Sequence, residues 1–231
     1  MTENINDNYT SFYKKKEIKY LYPTEFVVRT FKASYPNLRT KIEEGKNQKV
    51  LDIGFGDGRN SVFLAKEGYL TYGIEITEEI CEMARQRFKE QGLHAEFKVG
   101  RNNNIPYEDE YFDIVLACHS SYYLDGDDKF EHNLNEISRV IKQGGVFITS
   151  LPNDNSYIFK DAVRQNDGSF LIQNDYYNNR NGYRLQSFES AEEIEKRIQD
   201  YFTNFSFGHA YNDYYGIDEK VFWVVCEKRK D

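Results

Sequence analysis

From Lys49 onward, short apolar runs alternate with stretches whose apolar residues recur every three or four positions. Lys49–Ile53, an apolar run closed by glycine, predicts a buried strand. A helix is expected over Asn60–Lys66, directly after Gly58, and a second strand over Thr71–Glu75. Thr77 reads as an N-cap with Glu78 and Glu79 in the first turn, where carboxylates meet the positive end of the helix dipole. The helix behind it sets Ile80, Met83, Ala84 and Phe88 on one face. Ala95–Val99 and Phe112–Ala117 read as further strands. Phe130, Leu134, Ile137 and Ile141 predict an amphipathic helix, ended by Gly144-Gly145 before a strand over Val146–Leu151. Such alternation predicts an α/β fold with a parallel, doubly wound sheet. Ser190 with Glu193 predicts a capping box for a helix burying Ile194, Ile198 and Phe202, and strands follow over Thr203–Tyr211 and Lys220–Lys228.

Two stretches stand outside this rhythm. Residues 1–44 hold a polar lead and a helix from Thr24 to Ser34 with Phe26, Val27 and Phe31 inward, limited by Pro36. Residues 152–188 are rich in Asn, Asp, Tyr and Arg without a clear period, and a segment that long and irregular is often functional. The expected organisation is one domain over 1–231. It comprises an N-terminal lid (1–44), a core (45–151), an insertion (152–188) and a C-terminal helix with two strands (189–231).

Composition narrows the class. With 231 residues, 39% hydrophobic and 29% charged, a globular chain is expected, its core volume supplied largely by a 16% aromatic share. A net charge of −8 disfavours partners held by phosphate neutralisation, so nucleic acid is not expected. Cys81, Cys118 and Cys226 lie far apart without metal-ligand spacing, which predicts neither disulfides nor a metal and makes a cytoplasmic location the expectation. Met1 to Thr10 is polar and the longest apolar run is Val221 to Cys226, so neither a secretory leader nor a membrane span is expected. Oligomeric state stays open.

The strongest chemical signal is Asp52-Ile53-Gly54-Phe55-Gly56-Asp57-Gly58 at a strand end. Glycines there let the backbone turn tightly and approach a ligand. A dinucleotide fingerprint needs its third glycine five residues after the first; here Gly58 is four after Gly54 and the fifth position is Arg59, which disfavours NAD. Glu75, 21 positions after Gly54, ends the second strand, where an acid can accept from both hydroxyls of a ribose.

With these residues the chain resembles the class I S-adenosylmethionine-dependent methyltransferases, well over residues 45–151 and more loosely elsewhere. DIGFGDG matches the glycine motif, GIEI the acidic strand end, NNIPYEDEYFDIVLA the third loop and fourth strand, and VIKQGG the approach to the fifth. The resemblance implies strand order 3-2-1-4-5-7-6 with an antiparallel seventh strand, here Lys220–Lys228. It implies that Gly54, Gly56 and Gly58 line the methionine and ribose side of S-adenosylmethionine, that Glu75 and Ile76 lie at the ribose, and that S-adenosylhomocysteine is the product. Family members often carry Gly-Asp where this chain has Gly100-Arg101. Arginine has no acceptor for the adenine amino group. Arg101 therefore either stacks on the adenine or is solvent-exposed, with Asn102 or a backbone carbonyl left to read the amino group.

Cys118-His119-Ser120-Ser121-Tyr122-Tyr123 follows the fourth strand, so Cys118, His119 and Tyr123 are expected beside the transferring methyl. His119 is the candidate general base or orienting residue and Tyr22 the next; the bland alternative for His119 is a backbone-bonded packing role. Tyr20 and Arg29, from the lid, and Arg180, Tyr183 and Arg184, a basic-aromatic cluster, are candidate acceptor contacts. Tyr214 and Tyr215 read as packing residues. The Asn/Asp-Pro-Pro-aromatic tetrad of many nucleic-acid amino-methylating enzymes is absent, which favours an oxygen or another small-molecule acceptor. YLYPTEFVVRTF and NDYYGIDEKVFWVVC are similar to small O-methyltransferases found with bacterial capsule genes, some of the O-methyl phosphoramidate type, which implies a small anionic acceptor. The rival readings are a nicotinamide oxidoreductase, a non-catalytic cofactor-binding module, and a methyltransferase acting on nitrogen or nucleic acid.

Overall fold

The computed structural model describes residues 2–15, 21–42, 45 and 47–230. Seven strands form the central sheet: β1 Lys49–Ile53, β2 Leu70–Glu75, β3 Ala95–Val99, β4 Phe112–Ala117, β5 Ile141–Pro152, β6 Phe202–Asp213 and β7 Asp218–Lys228. Their spatial order is β6-β7-β5-β4-β1-β2-β3, the 3-2-1-4-5-7-6 arrangement expected. Pairings among β1 to β5 are parallel, while β7 runs antiparallel to both β5 and β6. Six α-helices lie among the described residues: α1 Thr2–Lys14, α2 Glu25–Lys32, α3 Arg59–Lys66, α4 Glu78–Glu90, α5 Phe130–Val140 and α6 Ala191–Ile198.

A strand buried on both faces needs no polar alternation, and β4 shows why. Val115 and Ala117 join the apolar cluster that also holds Leu134 and Ile137 of α5. Ile114 and Leu116 point to the opposite face, with Phe26 and Val27 of α2 and Leu64 of α3. Phe26 stacks on Trp223 of β7, ring centroids 5.1 Å apart, fixing α2 to the sheet. The chain winds from β1 outward through β2 and β3, then returns beside β1 as β4 and continues to β5. The order therefore reverses between β1 and β4, and the crevice beyond their carboxyl ends is where such a sheet binds ligands.

Four expectations are corrected. Residues 2–14, read only as a polar lead, form α1. Residues 152–188 are not irregular throughout: Val163–Arg164, Phe170–Leu171 and Arg184–Leu185 join Tyr123–Leu124 in a small antiparallel sheet. Ile141 and Phe202 open strands instead of closing helices: α5 ends at Val140, one residue before Ile141, and α6 at Ile198, four residues before Phe202. Tyr214 and Tyr215 do not pack; they are exposed at the β6–β7 turn. The expected caps are present: Thr77 Oγ1 accepts from Ile80 N, and Ser190 Oγ accepts from Glu193 N. The Glu193 carboxylate reaches back to the Glu189 N–H at 2.7 Å.

Candidate active site

Gly54 and Gly56, directly after β1, have φ of 65° and 59°, the left-handed region that glycine enters without steric cost. A Cβ on Gly54 would lie 2.7 Å from Ser120 Cβ, and one on Gly56 would collide with the Tyr13 hydroxyl. Beneath this cradle Glu75 is 6% exposed. Its Oε1 accepts from Gly56 N at 3.1 Å and its Oε2 from Ile76 N at 2.8 Å. Burial pushes the carboxyl pKa up, against the pull of those two N–H groups and of Arg101. A carboxylate offers about four lone-pair positions. One is taken on each oxygen, leaving Glu75, which lines the cavity, able to accept from two adjacent hydroxyls. Glycine cradle and buried acceptor together fit a ribose-bearing cofactor.

The cavity over these residues measures about 520 Å³, within the range of small-molecule sites. The ends of all five parallel strands open onto it, from Gly54–Asp57 after β1 to Pro152 at the end of β5. Arg101 is neither solvent-exposed nor unpaired: Nη1 meets Asp125 Oδ1 at 2.6 Å and Nη2 donates to Asn6 Oδ1 of α1 at 2.9 Å. Asn102 Nδ2 donates to the carbonyls of Ser120 and Tyr123 at 2.8 and 3.2 Å, so only its Oδ1 is left to accept.

The other half of the cavity is walled by aromatic and charged side chains. His119 follows β4 at φ 59°, a backbone region few non-glycine residues enter. Its N–H donates to Ser150 Oγ at 2.8 Å, which holds this turn. Burial lowers the imidazole pKa, Glu219 opposes that shift, and Arg180 and Arg59 add to it. The ring is therefore neutral at pH 7, the form that accepts a proton. Cys118 is pushed up to about 12 by burial, so its thiol stays protonated and is no nucleophile. Tyr123 Oη accepts from Arg180 Nε at 2.8 Å and from Tyr9 Oη at 3.0 Å. Tyr183 Oη donates to Asp125 Oδ1 at 2.9 Å.

Residues 51–149 match the methyltransferase domain family. A sterol 4-C-methyltransferase of Caenorhabditis elegans is 31% identical over 119 residues, 51% of this chain and 35% of that protein. The sarcosine/dimethylglycine N-methyltransferase of Halorhodospira halochloris is 36% identical over 111 residues, 47% of this chain and 39% of that protein. The chain thus matches little more than a third of the length of these curated relatives. A SAM-dependent methyltransferase structure from Methanosarcina mazei superposes with TM-score 0.67 at 22% identity, covering 86% of this chain and 99% of the other, and shares its fold.

Most of the expected residues meet in this cavity. Gly54, Gly56, Glu75, Ile76, Arg101, Asn102, Cys118, His119, Tyr123, Arg180 and Tyr183 all line it. Gly58 does not; its φ of 78° caps the N-terminus of α3 instead. Tyr22 lies outside the lining and is 78% exposed. Arg29 is held at the surface by Glu25 and Tyr35, at 2.6 and 3.0 Å. Arg184 ties the small sheet together through Asp167, Ser169 and the Gly126 carbonyl, away from the cavity. Tyr20 lies outside the described residues. Sequence reasoning missed Tyr9, Tyr13, Asp125, Tyr157, Asn179 and Glu219 in the lining. Only the first two left a signal, in the i, i+3, i+4 spacing of Tyr9, Phe12 and Tyr13.

Proposed function

We propose that this protein transfers the methyl group of S-adenosylmethionine to an oxygen of a small, polar, anionic acceptor, of the capsule phosphoramidate or sugar-precursor kind. The observation that carries the reading is a single cavity with a glycine-and-carboxylate half joined to a half walled by His119, Arg180 and tyrosines. The cofactor supplies an already activated sulfonium methyl, so the protein's work is alignment and proton removal. Glu75 accepts from the ribose hydroxyls, Gly54 and Gly56 admit the cofactor's backbone-facing side, and Asn102 Oδ1 accepts from the adenine amino group. The unprotonated ring nitrogen of His119 takes the acceptor hydroxyl's proton, and orients the acceptor where its oxygen is already ionised. Tyr9, Phe12 and Tyr13 of α1 line the cavity and would exclude water over it.

The two curated relatives point to different acceptors, a sterol and a small amino acid. The charged and hydroxyl-rich wall around Arg180 suits the second chemistry better than a rigid hydrocarbon. The test is turnover with S-adenosylmethionine against phosphorylated sugars, amidophosphates and small hydroxy acids, beside duplex DNA and ribosomal RNA. Methylation of a small anion with neither polymer modified is expected; efficient methylation of either polymer defeats the substrate class.

A further inference from the structure

We infer that the acceptor pocket holds a two-point recognition site, in which Arg180 binds an anionic oxygen and Asn179 accepts from an N–H or O–H on the same small molecule. This rests on the methyl-transfer reading for the identity of the pocket, but the recognition chemistry stands on its own geometry.

Asn179 is 6% exposed and lines the cavity, yet its buried Oδ1 has no hydrogen-bond partner among the described residues. A buried, unpaired carboxamide oxygen is costly, and native proteins leave few of them. Because Asn179 lines the cavity, a small turn of its carboxamide would bring this oxygen to a donor on a bound ligand and remove that cost. Next to it, Arg180 spends Nε on Tyr123 Oη at 2.8 Å, and Nη1 on Tyr157 Oη at 2.9 Å and Asp175 Oδ1 at 3.1 Å. Nη2, with two N–H groups, has no partner among the described residues. Unspent N–H donors on a charged guanidinium suit an oxyanion.

The pair is held rigid from behind. Asp175, fully buried, accepts from the Asn179 and Arg180 backbone N–H groups through Oδ2, at 3.1 and 3.2 Å. One carboxylate thus fixes both residues and balances the Arg180 charge. Glu219 lines the same cavity and supplies a second acceptor, which again favours a ligand carrying a donor. An anion without an N–H or O–H would satisfy Arg180 and leave Asn179 unpaired. Carboxylate and phosphoryl anions both meet the Arg180 requirement.

The experiment measures dissociation constants on the full chain saturated with S-adenosylhomocysteine, using two matched probe pairs. Glycolate is compared with propionate, and amidophosphate with methylphosphonate; each pair keeps its charge and approximate size while OH or NH₂ is replaced by CH₃. The donor-bearing member of at least one pair is expected to bind about 10-fold tighter, the worth of a hydrogen bond to a buried unpaired group. The pair that shows the preference identifies the anion as carboxylate or phosphoryl. Asn179→Leu should abolish the preference, and Arg180→Gln should weaken both members while keeping their ratio. Both variants should keep the parent's S-adenosylhomocysteine affinity, which reports an intact fold. Equal binding within both pairs by the parent protein, or no binding of either at millimolar concentration, overturns the inference even if a variant fails to fold. A preference that survives Asn179→Leu overturns it as well. Loss of S-adenosylhomocysteine binding by the parent would instead overturn the cofactor reading.

Discussion

The cofactor half and the acceptor half of the cavity are built differently. Gly54, Gly56, Glu75, Arg101 and Asn102 come from one stretch of chain at the ends of three neighbouring strands, and the backbone supplies much of the surface. Tyr9, His119, Arg180 and Glu219 come from four distant segments. The first half depends on φ angles and strand register, which a short motif encodes. The second depends on where α1, the small sheet and the β6–β7 hairpin converge. A change in the cofactor half should therefore act on cofactor affinity, and one in the acceptor half on turnover.

The largest expected effect is removal of residues 1–22, which takes away α1 with Tyr9, Phe12 and Tyr13. Turnover should fall by about 10³ or more through loss of positioning and water exclusion, while circular dichroism still reports a folded sheet. Undiminished turnover would end the lid role. His119→Ala should lower turnover roughly 100-fold with S-adenosylhomocysteine binding kept. Because burial holds the His119 pKa below its ordinary 6.5, the parent's rate should stay level through neutrality and fall only on the acid side of that value. The same depressed pKa affects stability: below pH 6.5 the unfolded chain takes up a proton that the folded state resists. The His119 contribution is thus present above that pH and lost as pH falls below it, so the His119→Ala melting temperature should lose part of this acid dependence. A turnover loss with an unchanged pH profile would make His119 an orienting group and not a base.

Glu75→Ala should weaken S-adenosylhomocysteine by about 1.5–3 kcal/mol, roughly 10- to 150-fold, as charge-assisted hydrogen bonds are lost. Equal affinity in calorimetry would remove the ribose assignment. Arg101→Gln breaks the link from Asp125 through Arg101 to Asn6 of α1; a partly exposed pair of this kind is worth about 1 kcal/mol. Faster proteolytic cleavage within residues 2–15 should reveal it, whereas unchanged cleavage would mean the latch is idle. The smallest effect belongs to Arg29→Ala, whose turnover should stay within about two-fold of the parent because its partners lie at the surface. A larger fall would draw Arg29 back to the site.

The same division explains what the sequence made legible. The strands and the Glu75 position follow from apolar periodicity, two glycines and one acid, all local signals, while the strand order was legible only through the family resemblance. Helix α1 was hidden because its polar residues outweigh Tyr9, Phe12 and Tyr13 until a cavity is there for those rings to cover. The small sheet escaped because two-residue strands carry no period. Arg180 and Arg184 look alike in sequence, four positions apart, yet one faces the cavity and the other braces the small sheet. Arg29 and Tyr22 read as site residues for their chemistry, and only tertiary placement takes them away from it.

The most direct measurement is isothermal calorimetry of the full chain with S-adenosylhomocysteine and, separately, with NAD. Binding of S-adenosylhomocysteine with a dissociation constant of micromolar order, and no heat from NAD, is the result expected from Gly54, Gly56 and Glu75. Binding of NAD with none of S-adenosylhomocysteine would contradict it.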